Sequence, residues 1–129
     1  MASEMTLVRD REVHITVRSG AILGPILARV VGSLAARAEL PLDRLSDALL
    51  VADAVAAAAP MLAIDDHLTI DACTSRGRLE LVVGPLRAGG VDQLLSAPQV
   101  DGVAVLGRLS DTEQVVIDER EHLRLVLAP

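Results

Sequence analysis

From Val13 onward the chain alternates, with Val13, Ile15 and Val17 apolar and His14, Thr16 and Arg18 polar between them. That period of two predicts a half-buried strand, ended by Ser19 and Gly20. Over about residues 22 to 38 the period lengthens. Leu23, Ile26 or Leu27, Val30 and Leu34 recur at helical spacing, with Arg29, Ser33 and Arg37 on the opposite side. Pro25 fits such a helix only near its first turn. "ELPLDRL" makes a short connection, and Asp43 stands near the next helix start, where an acid favours exposed amides. The second helix is expected over about 43 to 59, with Pro60 as its stop.

The period then returns to two. His67 to Thr74 alternates through Leu68, Ile70 and Ala72, and Leu79, Leu81 and Val83 do the same after the turn "SRGR", which predicts a hairpin. "GPLRAGG" breaks the second strand and leads into a short helix around Val91 to Leu95. The loop "SAPQVDG" and a second short helix near Val103 to Leu109 follow. "EQVVIDER" and "HLRLVLAP" alternate again and pair most simply as a closing hairpin. Helices grouped between runs of strands predict an α+β two-layer sandwich with a mostly antiparallel sheet and two long helices. Residues 1 to 12 are an N-terminal extension and 13 to 129 one domain. A chain of 129 residues can bury roughly two thirds of its unfolded surface in a single core.

Composition narrows the function. The chain is 51% hydrophobic and 23% charged, which suits a compact globular domain. Its net charge of -6 and the absence of aromatic residues argue against a nucleic-acid partner, which needs a basic surface and stacking platforms. All 12 basic residues are arginine, so a P-loop lysine and a Schiff-base lysine are both excluded. Cys73 is the single cysteine, which rules out an intrachain disulfide and suits a reducing, cytoplasmic location. A nucleophilic role for it would need a basic partner such as His14 or His67. No signal peptide is expected at the N-terminus. The long apolar stretch from 48 to 64 is interrupted by Asp53 and Pro60, which argues against a membrane span.

In element order, residues 13 to 128 resemble the anti-sigma-factor serine kinases of the histidine-kinase-like ATPase superfamily, whose fold is of the Bergerat type. The second long helix of that family carries leucine, an apolar residue, valine, a small residue and glutamate, then asparagine four residues later and often histidine four after that. Here "LLVADAVAAAAPM" places Asp53 at the glutamate, Ala57 at the asparagine and Met61 at the histidine. Spacing by four stacks the three on one helix face. The resemblance implies that the asparagine holds magnesium against ATP and that the glutamate activates the attacking group. Ala57 has no oxygen for a hard cation, and no asparagine occurs anywhere in the chain. Asp53 keeps a carboxylate one methylene shorter; beside the catalytic base that the resemblance implies stands the reading of a solvated acid on a helix surface.

The glycine loops depart in the same direction. Where the family has an aspartate that reads adenine before two glycines, this chain has "LVVGPLRAGG", with no acid between Glu80 and Asp92. Gly84 aligns with that segment, and Gly89 and Gly90 offer bare backbone to a phosphate. Further on, "VDGVAVLGRLSD" matches Gly102 to the second glycine of the family's helix-opening pair and Val100 to the first, with Leu109, Ser110 and Asp111 at the end. The resemblance thus implies a vestigial nucleotide pocket of Ala57, Gly84, Gly89, Gly90 and Gly102, no bound metal and no cofactor. The function it implies is a non-catalytic regulator in a partner-switching circuit, with a sigma factor, an anti-sigma-factor antagonist or a second copy as partner. An ATP- and magnesium-dependent serine kinase using Asp53 is the alternative, and a structural domain that self-associates through "ILGPILARVVGSLAARAEL" is another.

Overall fold

The computed structural model describes residues 13 to 96, 99 to 100 and 103 to 129; the N-terminal extension and Gly102 lie outside the described residues. The order is β1 (Val13–Arg18), α1 (Leu23–Arg37), α2 (Leu42–Leu62), β2 (His67–Ser75), β3 (Arg78–Leu86), α3 (Gly90–Ser96), β4 (Gln99–Val100), β5 (Val103–Ala104), α4 (Val105–Leu109), β6 (Asp111–Ile117) and β7 (Arg120–Leu127). Five strands form one sheet in the order β1-β2-β3-β7-β6, and every neighbouring pair is antiparallel. The architecture is α+β, as the change of apolar period predicts.

Register carries the alternation of single strands across the sheet. Ile15 lies opposite Ile70, Ile70 opposite Val83, and Val83 opposite Leu123; one step along, Ala72 meets Leu81 and Leu81 meets Leu125. One face of the sheet is therefore a continuous aliphatic layer, in which Leu79, Leu81, Val83, Leu123, Leu125 and Leu127 are buried. Leu23, Leu27, Val31 and Leu34 of α1 and Ala48, Val51, Val55 and Ala59 of α2 complete the same core. Val31 takes the place expected for Val30, because steps of four from Leu23 through Leu27 keep the stripe on one face; Val30 packs at its margin.

Small residues let the helices approach. A methyl group added at Gly32 would lie 3.4 Å from Leu49 Cδ2, and one at Gly24 would lie 3.8 Å from Ala56 Cβ. Backbone clasps then fix the helix ends: Gly77 N donates to Ala38 O at 2.7 Å, and Arg87 N donates to Leu62 O at 2.9 Å. Arg44 joins the start of α2 to the end of β7, donating from Nε to Ala128 O at 3.0 Å and from Nη1 to Asp47 at 2.8 Å.

Two expectations are corrected. Pro60 does not stop α2, which runs on to Leu62. Its ring fits helical φ, and the helix continues although Pro60 has no amide to donate to the Ala56 carbonyl. The helix closes instead where Ala63 N donates to Ala59 O at 2.9 Å and Ala63 turns extended to bridge Leu86. The helix expected from Val103 begins only at Val105, since Gln99–Val100 and Val103–Ala104 pair as a small antiparallel ladder. The β-branched residues at 100 and 103 favour extended backbone there.

Alternation puts Glu80, Val82, Arg124 and Glu113 on the sheet face away from the long helices. Glu80, 7% exposed, accepts from Arg124 Nη2 at 2.9 Å and from Arg78 Nη2 at 3.2 Å, while Arg124 Nη1 reaches Glu113 at 3.0 Å. The Arg124 guanidinium is held charged above its ordinary range, first by its hydrogen bond to Glu80. Leu125→Ala would empty the aliphatic layer beside it, and a loss of ~2–5 kcal/mol is expected in urea unfolding.

Candidate functional site

The side chains singled out by the helix spacing share a face, and that face is outward. Asp53 and Ala57 are exposed on α2, and Met61 is 78% exposed one turn later. Asp47, another acid of this helix, is engaged by Arg44. Position 57 presents a bare methyl to the surroundings, and Asp53 stands at the surface rather than in a closed cavity.

The glycine segment adjoins the C-terminal end of α2, because Arg87 N bonds to Leu62 O. Gly84 is buried within β3 and is hemmed in by β7: a Cβ there would lie 2.5 Å from His122 Cδ2 and 3.1 Å from the Glu121 carbonyl oxygen. Its lack of a side chain is thus accounted for by strand packing. Gly90 is crowded by Leu86 Cβ at 2.9 Å from its would-be Cβ, and its amide donates to Arg87 O at 2.7 Å. Gly89 has φ +79°, a conformation open to glycine at little cost.

The amides of this loop already hold an anion, and it comes from the chain itself. Glu121 Oε2 accepts from Gly89 N at 2.7 Å and Oε1 accepts from Val91 N at 3.1 Å. Those two bonds, Gly89 first, hold the Glu121 carboxyl below its ordinary value of 4.5, with burial opposing weakly. Sequence reasoning misses Glu121, which lies 32 residues from Gly89; only the β3–β7 register, with Glu121 opposite Leu86, brings it there.

The remaining candidates disperse. Among the described residues no group of three or more His, Cys, Asp or Glu side chains is placed to hold a metal ion. His14 Nδ1 pairs with Asp71, and His67 Nδ1 pairs with the Asp65 carbonyl at 2.7 Å. Two shallow depressions of about 260 and 370 Å³ lie around Arg78, Glu113 and Arg124, and around Arg44, Arg108 and Ser110. Neither is lined by Asp53, Ala57, Gly84, Gly89 or Gly90. Ser110 closes α4 by donating from Oγ to Leu106 O at 2.6 Å.

No family model matches the chain, and no curated protein matches it.

The Glu121 contact gives an acid-dependent prediction. A carboxyl whose folded pKa lies below its unfolded one contributes stability above the unfolded value and loses it as pH falls through the folded value. Thermal midpoints measured downward from pH 6 should therefore fall below about pH 4.5 more steeply for the native chain than for Glu121→Gln. Glu121→Gln should also be the less stable at neutral pH, and its Gly89 and Val91 amides should exchange faster with deuterium.

Proposed function

We propose that this chain is a non-catalytic regulator that acts by binding a protein, as a degenerate relative of the anti-sigma serine kinases with a Bergerat-type fold. The order of strand, two long helices, hairpin, short helices and closing hairpin supports the resemblance. The departures at Ala57 and Asp53 argue against chemistry, and the outward, largely aliphatic face of α2 suits contact with a protein.

The observation that carries this reading is the Glu121 carboxylate on the Gly89 and Val91 amides. In the resemblance these bare backbone groups are what remains to meet a nucleotide phosphate. A negative group bonded there satisfies them and repels a second anion. Each charge-assisted hydrogen bond is worth ~1.5–3 kcal/mol, so losing two from a nucleotide weakens its binding by a factor of hundreds or more. On this reading the chain works in the cytoplasm, takes no ATP or magnesium, and engages a sigma factor or an anti-sigma-factor antagonist.

Calorimetry tests both halves. Titration with ATP and magnesium should give no saturable heat up to roughly millimolar nucleotide. A sigma factor or antagonist from the same cell should bind without nucleotide, with an affinity of about 10 µM or better. Micromolar, magnesium-dependent ATP binding, with transfer of phosphate to a serine of the antagonist, would instead establish the kinase.

A further inference from the structure

An edge strand turns unpaired amides and carbonyls outward, and proteins guard such edges with lysine, proline or a bulge. β6 is an edge, since the sheet ends there in the order β1-β2-β3-β7-β6. It carries none of those guards. "DTEQVVI" has no proline, glycine or basic residue, and its charges, Asp111 and Glu113, stand at one end. Its register with β7 runs unbroken from Asp111 opposite Val126 to Ile117 opposite Arg120. It packs chiefly on β7 and, at its start, on α4. Val116 is 63% exposed and Ile117 38%. A regular strand that ends in three β-branched residues can accept a neighbour along its free edge.

The charge pattern says which neighbour. We propose that β6 accepts an extended segment of another protein as a sixth strand, antiparallel to it, with basic residues at the Asp111 end and apolar residues at the Ile117 end. Alternation puts Asp111, Glu113, Val115 and Ile117 on one face of the strand and Thr112, Gln114 and Val116 on the other. The first face is acidic over one half and aliphatic over the other, and the second is uncharged. Directly opposed side chains interact most in an antiparallel pair, where opposite charges stabilise and like charges destabilise. Read in its own direction, the segment therefore carries two apolar residues at alternate positions, then two arginines or lysines at alternate positions. Glu113 engages Arg124 through Oε1, with Oε2 beside it to receive a cation, and Asp111 is exposed on the same face.

The same charges disfavour a second β6. Laid antiparallel about Gln114, it sets Asp111 over Ile117 and Glu113 over Val115; centred on Thr112 or Glu113, it sets acid against acid. The net charge of -6 adds a long-range attraction for a basic segment. Seven residues span about 24 Å. That is a small contact, so binding is weak and reversible. The inference is drawn from β6 and not from α2 or the glycine loop, so it stands apart from the anti-sigma reading and neither falls with the other.

An NMR titration of the isotope-labelled full chain tests it. The probe is a capped peptide in which threonine alternates with valine, isoleucine, arginine and arginine, in that order from its amino end. Amide shifts should move along residues 111 to 117 and saturate with a Kd of about 100 µM or below. A second peptide, with glutamate for the last arginine, should bind roughly tenfold more weakly. Asp111→Arg should reverse that order, so that the glutamate peptide becomes the tighter by roughly tenfold. Position 111 is exposed, so its substitution leaves the fold intact, which circular dichroism checks. No saturation up to roughly 1 mM peptide overturns the proposal. So do shifts confined to elements other than β6, and so do two peptides that bind the native chain alike. Shifts along β6 that follow chain concentration without peptide would give the edge to a second copy and overturn it as well.

Discussion

The absence of any aromatic side chain constrains everything else in this protein. An aromatic ring can fill a wide gap between layers; leucine, valine and alanine fill only what close approach leaves. The sheet therefore presents aliphatic pairs across β3 and β7, Leu79 with Leu127, Leu81 with Leu125 and Val83 with Leu123, and α1 meets α2 through glycine and alanine. Close approach needs fixed ends, which the Gly77, Arg87 and Arg44 clasps provide. The aliphatic core, the small residues between the helices and the bonds that hold their termini are one solution to one packing problem.

The same economy of side chains extends to the glycine loop. Gly84 and Gly90 are bare because His122 and Leu86 press on them, and the Gly89 and Val91 amides are satisfied by Glu121. Features that resemble a phosphate loop in sequence thus have structural duties in three dimensions. The outer face of α2 departs from that pattern, since Leu50 and Met61 stand exposed there.

Elements whose apolar residues repeat at one period were legible: β1, β2, β3 and β7 from Val13, Leu68, Leu79 and Leu123 onward, and both long helices. The end of α2 was not, because the true stop, the bridge from Ala63 to Leu86, joins residues distant in sequence. Spacing by four was enough to align Asp53, Ala57 and Met61 on one face. No local pattern could show that Glu121 occupies the glycine amides, since that contact exists only once β3 and β7 are in register.

The pairing of Arg124 with Glu80 bears on how the chain finds that register. A strand displaced by one residue exchanges its two faces. If β7 slipped by one against β3, Leu123, Leu125 and Leu127 would turn to water and Arg124 would be driven into the hydrocarbon layer, away from Glu80. Both losses arrive together, so the neighbouring alignments offer no partial reward in which a folding chain could be trapped. The ion pair on the far face thus works as a proofreading contact for the assembly of the sheet.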